Sequence, residues 1–292
     1  MEFEVSKGAL FALAAAASWG GGDFSGGMGV KAAGGRLPEA LRFIILAHTL
    51  SFAVLVSILW TQEPAAAHGA AVLWAIVGGG TGALGLVTFY IALSRGGMGA
   101  SAAVSGLLAA AIPAAVSSMT EGPPGMMRIA GFLLAGGAIW WIALGESAET
   151  RIGSKSTVAL AICGGAAFGV YFVALKLASP LGFIMPMAIA RATSLALCVP
   201  VLMAITRGTS TNVRGWTAGW KWAVGVALLD TGGNLLFMAA TRLGRLDVAS
   251  VLASLYPAGT ILLAAWYLRE RPNRRQIAGM VAALAAVAMI TL

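Results

Sequence analysis

The sequence predicts an all-α membrane protein of ten transmembrane helices, built as two inverted five-helix repeats. Three observations predict it. Hydrophobic residues make up 59% of the 292 residues and charged residues 10%, against roughly 25% charged in a soluble domain. So few charges cannot cover the surface of a soluble fold of this length. Ten apolar stretches then fill nearly the whole chain, each close to the ~20 residues that a helix needs to cross a hydrocarbon core about 30 Å thick. Finally, the last five stretches repeat the pattern of the first five.

In order, the spans run over 8–30, 39–60, 70–94, 98–119, 126–144, 156–177, 181–205, 218–241, 246–267 and 274–291. Span 1 follows a charged start (Glu2, Glu4, Lys7) and stops at Lys31 and Arg36; with no small-residue cleavage site it reads as an anchor, not a removed signal. Span 2 opens after Pro38 and closes on Trp60, and span 3 ends at Arg95. Span 4 carries Pro113 and is cut off from span 5 by Glu121-Gly122-Pro123-Pro124. Arg151 and Lys155 precede span 6, Arg207 and Arg214 separate spans 7 and 8, and Arg242 and Arg245 separate spans 8 and 9. Span 9 carries Pro257, and Arg269, Arg271, Arg274 and Arg275 lead into span 10. These loops are short and leave no room for a separate soluble domain.

Glycines within the spans have small-xxx-small spacing at Gly22/Gly26, Gly78/Gly82 and Gly165/Gly169, which lets membrane helices approach closely. Trp60, Trp74, Trp216, Trp220 and Trp266 fall near span ends, where an amphipathic ring suits the interface. The net charge of +8 comes from loops, so it orients a membrane protein and implies no nucleic-acid partner. Loops after the odd-numbered spans hold most Lys and Arg; only Lys7, Arg128, Lys176, Arg242 and Arg245 lie on the other side. By charge, both termini are outside. Cys163 and Cys198 sit on no metal or redox spacing and read as buried packing thiols.

The repeat places residue i on i+149. Trp19-Gly20 falls on Phe168-Gly169 and Arg42 on Arg191; with small gaps, Ala92–Arg95 matches Ala239–Arg242 and Ile112-Pro113-Ala114 matches Tyr256-Pro257-Ala258. The halves are residues 1–150 and 151–292, and an odd number of spans in each forces opposite orientations. Transporters built this way hold substrate near the midplane between halves.

An ionisable group inside a span is a functional candidate, because its burial is expensive. Asp23, Arg42, His48, Arg191 and Asp230 qualify. They either form structural pairs (Asp230 with Arg191, Asp23 with Arg42) or line a cavity that binds the charged ends of a zwitterion. His48 could relay protons but reads better as a hydrogen-bonded packing residue. Among mid-span aromatics (Trp19, Phe24, Phe89, Tyr90, Tyr171, Phe172, Phe237 and Tyr256), Trp19, Tyr90 and Tyr256 suit a small-molecule pocket best. Asn234, Ser105, Ser250 and Ser254 offer uncharged hydrogen bonds. The candidate substrate-binding set is therefore Trp19, Asp23, Tyr90, Arg191, Asp230, Asn234, Ser254 and Tyr256. An aspartate could exchange a proton in each cycle; with an arginine near each, a uniporter is the expectation.

Two motif matches carry nothing. Gly80–Gly85 fits G-x-G-x-x-G without a preceding strand. Gly20–Asp23 fits the G-x-G-D of intramembrane aspartyl proteases, whose accompanying motifs are missing. No enzyme, cofactor or metal site is expected.

Ser18-Trp19-Gly20 through Asp23-Phe24, Ala40–Phe43, Ala249 through Leu255-Tyr256-Pro257-Ala258, and Leu268–Pro272 together resemble the drug/metabolite transporter superfamily, in particular the EamA family and its ten-helix amino-acid exporters. The resemblance covers residues 8–291. It implies export of amino acids, related metabolites or drugs across a bacterial inner membrane by alternating access. Flipping of a lipid-linked sugar and multidrug export are its alternatives. The partners implied are a small-molecule substrate and the bilayer, with the chain acting as a monomer.

Overall fold

A computed structural model describes residues 2–61, 69–95, 98–144, 155–207, 214–267 and 274–291. The Leu268–Pro272 stretch, Arg151, the Trp216 side chain and the 150/151 boundary between halves lie outside the described residues.

Every described element is helical: α1 (Glu2–Ala33), α2 (Leu37–Leu59), α3 (Gly69–Ser94), α4 (Met98–Thr120), α5 (Met126–Leu144), α6 (Lys155–Ala178), α7 (Ile184–Thr206), α8 (Arg214–Leu243), α9 (Leu246–Ala253), α10 (Tyr256–Tyr267) and α11 (Arg274–Thr291). A 3₁₀ turn, Ser179–Leu181, links α6 to α7. Seven helical runs are long and apolar enough to cross a membrane, α9 and α10 counting together as Leu246–Tyr267. The glycine-rich α1 and two shorter apolar helices, α5 and α11, complete the ten spans.

The ninth span is broken at Ser254-Leu255. Pro257 has no N–H to give to the carbonyl of residue 253, and its ring crowds that carbonyl. The chain turns instead on Ser254 N–H to Ser250 O (2.9 Å), Leu255 N–H to Leu252 O (3.2 Å) and Ala258 N–H to Leu255 O (3.0 Å). Pro113 sits inside α4 without breaking it.

α1 packs along α8 and against α9 and α10; α6 packs along α3 and against α4. α2 meets α7 and α8, α7 meets α3, and α5 lies along α11. Exchanging the first five spans for the last five maps these pairings onto one another. Glycine makes the close approaches possible. A Cβ at Gly165 would lie 2.6 Å from the Ser105 carbonyl, one at Gly169 2.8 Å from Ile112, and one at Gly79 2.5 Å from the Ala190 carbonyl. Gly82 faces Tyr171 and Gly26 lies under the Tyr90 ring.

The outer surface is apolar, as a lipid-facing surface requires: Leu84, Leu228 and Val281 project outward. Trp60, Trp220 and Trp266 are exposed near helix ends, as expected, with Trp74 half-buried. Cys198 is buried, but Cys163 is exposed on the outer face of α6. It is therefore not a packing thiol, because α6 turns its glycine face, not that face, toward α3 and α4.

On the side of the bundle that holds the chain termini, polar contacts tie the helix ends together. Glu121 takes the Ser117 hydroxyl (2.9 Å) and the Leu246 N–H (3.2 Å) and pairs with Lys176 at 3.9 Å. Arg245 clasps Asp247 at 2.9 Å and donates to the carbonyls of Glu121 and Gly122.

Candidate functional site

Mid-bundle, a narrow cavity of about 30 Å³ is lined by Trp19, Asp23, Leu86, Phe168, Tyr171, Phe172, Asp230, Asn234 and Tyr256. Helical periodicity assembles it, since residues three and four apart share a face. α1 supplies Trp19 and Asp23, α8 supplies Asp230 and Asn234, and α6 supplies Phe168, Tyr171 and Phe172. Tyr256 enters because the break before α10 ends one helix and starts another at this depth. α1 and α10 touch backbone to backbone here: a Cβ at Gly20 would lie 2.9 Å from the Tyr256 carbonyl. Thr260 adds a hydrogen bond to the Gly20 carbonyl at 3.2 Å.

The aromatic wall is stacked. Trp19 lies parallel to Phe172, with centroids 4.9 Å apart and 6° between planes, and Phe237 backs both. Gly233 makes room for the indole, because a Cβ there would come within 2.6 Å of it. The phenols of Tyr171 and Tyr256 are already engaged, the first with the Met187 sulfur (3.8 Å) and the second with the Ala102 carbonyl (3.3 Å).

Behind Asp230 stands a buried polar network. Arg191 donates through Nη2 to the Asp230 carboxylate, through Nε to Ser51 (3.2 Å) and through Nη1 to His48 Nε2 (3.0 Å). Because a guanidinium only donates, His48 Nε2 must be an acceptor. The neutral ring then carries its proton on Nδ1 and gives it to Ser194 at 2.7 Å. Ser51 and Thr231 share a 2.5 Å hydrogen bond, and Asn234 Nδ2 donates to Asp230 at 3.2 Å. The network joins α2, α7 and α8 around one compensated charge pair.

Of the eight predicted residues, Trp19, Asp23, Asp230, Asn234 and Tyr256 come together at the cavity. Arg191 stands behind Asp230 as its counter-charge. Tyr90 does not face the cavity; it is fully buried against Gly26, Phe43 and Phe89. Ser254 is buried at the helix break, and its hydroxyl, like that of Ser250, has no partner.

The predicted Asp230–Arg191 pair forms, whereas Asp23 and Arg42 make no ion pair among the described residues. α1 continues ~15 Å beyond Asp23 before the turn into α2, while Arg42 lies only ~8 Å past that turn, so their depths differ. Leu86, Phe168 and the Ser51, Ser194 and Thr231 members of the network were not predicted, whereas His48 is the hydrogen-bonded packing residue the sequence suggested. Phe168 did carry a signal, as the repeat counterpart of Trp19.

The geometry offers carboxylates and amide oxygen within an aromatic enclosure. Among the described residues, no group of acids, histidines and cysteines could hold a metal ion.

Residues 155–292 match the EamA-like transporter family. The chain also superposes on a solved structure, described as the crystal structure of a protein, with a TM-score of 0.70 and 15% identity over 97% of this chain and 96% of the other. At that identity the likeness concerns the fold alone. No curated protein matches the chain.

Proposed function

We propose that the chain is a membrane transporter of the EamA-like kind, within the drug/metabolite superfamily, and that it exports small amphipathic metabolites bearing an amino group by alternating access around the midplane cavity; the match of residues 155–292 to the EamA-like transporter family supports this reading. Amino acids, aromatic and hydrophobic ones first, head the candidates, and the bacterial inner membrane is the setting. The observation that carries this reading is the cavity itself, where Asp23 and Asp230 meet an aromatic wall at the junction of both halves. Small-molecule sites combine apolar enclosure with a few placed polar groups in this way. Residues 1–150 and 151–292 act as the two rocking halves; the exchange-symmetric helix pairing supports this division. The polar clasp of Glu121, Lys176, Arg245 and Asp247 then seals the side of the bundle that carries the termini.

Purified protein in liposomes preloaded with unlabelled phenylalanine, leucine or phenethylamine should take up the matching labelled compound by counterflow. Protein-free liposomes set the background. No uptake above background with any of the three compounds would refute the proposal.

A further inference from the structure

We infer that the cavity is built to bind a primary ammonium group, and that it selects an aromatic or aliphatic amine over the zwitterionic amino acid of the same side chain. The inference rests on the transporter reading above and, among the amino-bearing metabolites it names, puts the amine ahead of the amino acid.

It follows from counting donors and acceptors. Among the described residues, no Lys, Arg or His lines the cavity. The nearest cation, Arg191, has committed its three nitrogens to Asp230, His48 and Ser51. It is also screened from the cavity: its side chain is 5% exposed, against 13% for Asp230. Asp230 is thereby neutralised. Asp23 has no ion-pair partner among the described residues, so it is the carboxyl of the cavity left for a ligand cation to pair with.

The uncharged groups point the same way. Asn234 gives its amide N–H to Asp230, which fixes the amide orientation and leaves Oδ1, a pure acceptor, buried and without a partner. An unsatisfied buried acceptor is costly, and a ligand N–H relieves that cost. The Tyr171 and Tyr256 hydroxyls are turned away from a ligand, to the Met187 sulfur and the Ala102 carbonyl.

What remains is the neutral indole N–H of Trp19 and two acceptors, the Asp23 carboxyl and Asn234 Oδ1, ringed by Phe168, Tyr171, Phe172 and Tyr256. An ammonium has three N–H donors for them, and aromatic rings favour a cation nearby. A substrate carboxylate would find no cation, only the neutral Trp19 N–H, and would stand beside the Asp23 and Asp230 carboxyls, a mismatch of the kind that sets specificity.

The test is equilibrium binding to the purified full chain, followed by liposome uptake, with three probes sharing one phenyl body: phenethylamine, phenylalanine and hydrocinnamate. The expected affinity order is amine, then amino acid, then acid, with the first step on the order of tenfold or more. Asp23→Asn should abolish that step and Asp23→Glu retain it. The wild-type order is decisive even if a variant misfolds. Phenylalanine or hydrocinnamate binding as tightly as phenethylamine, or no phenethylamine binding, overturns the inference. Phenethylamine binding without uptake of any probe supports the inference and overturns the transport reading. Uptake of phenylalanine without preference for the amine does the reverse.

Discussion

Replacing Arg191 with methionine should destabilise the protein strongly, and the cost can be worked from the network. The substitution removes the counter-charge of Asp230 and the donor to His48 and Ser51. Leaving one partner of a buried ion pair uncompensated costs about 3–5 kcal/mol. Asp230 reaches the cavity, where water can solvate it, which favours the lower end, about 3 kcal/mol. Hydrogen bonds between membrane helices average about 0.6 kcal/mol, so the two lost bonds to the neutral acceptors His48 and Ser51 add about 1 kcal/mol. Asp230→Leu should also be costly, because it strands a guanidinium that cannot shed its charge. The double variant Arg191→Met/Asp230→Leu strands neither and should recover most of the loss. Unfolding in mixed detergent micelles, run as a double-mutant cycle, should give a coupling of about 2–3 kcal/mol. A coupling under about 0.5 kcal/mol, within the error of additivity, would refute the account of the buried network.

Other consequences can be checked alongside. Gly79→Ala should lose about 1–3 kcal/mol, because its Cβ would lie 2.5 Å from the Ala190 carbonyl, whereas Gly137→Ala, with open space around it, should leave thermal stability unchanged. Trp19→Ala and Tyr256→Ala should each reduce liposome uptake at unchanged membrane levels; Trp140→Ala, on the outer surface, should not. Glu121→Leu removes the acceptor for Ser117 and Leu246 N–H and should lower stability by about 1–2 kcal/mol in a thermal scan. Counterflow should proceed without a pH gradient; accumulation driven by such a gradient and abolished by Asp230→Asn would show proton antiport instead.

Much of the fold is legible in the sequence because a bilayer dictates both the length and the composition of what crosses it. The ends of α3, α5 and α11 fall within a residue of their apolar runs. The break before Tyr256 was only half legible, since Pro113 and Pro257 give the same signal and only the second interrupts a helix. At the site, rarity made the ionisable residues visible, and the Arg191–Asp230 pair follows from that alone. Asp23 and Arg42 were paired on adjacency of spans, which ignores depth. Tyr90 was misplaced for a related reason: its ring fills the space left by Gly26, which no pattern within α3 reveals. The phase of one helix against another is set by packing between distant segments. Leu86, an ordinary apolar residue, reached the cavity wall with no signal at all.

The most direct test of the cavity as the transport site uses Leu86→Cys in a background with Cys163 and Cys198 replaced by serine and alanine. Leu86 lines the cavity without holding a polar group of it. A charged, water-soluble thiol reagent should modify this cysteine and stop uptake, and phenethylamine or phenylalanine should slow both. Full modification of the cysteine with uptake unchanged would contradict the account, because the substrate would then cross by another route.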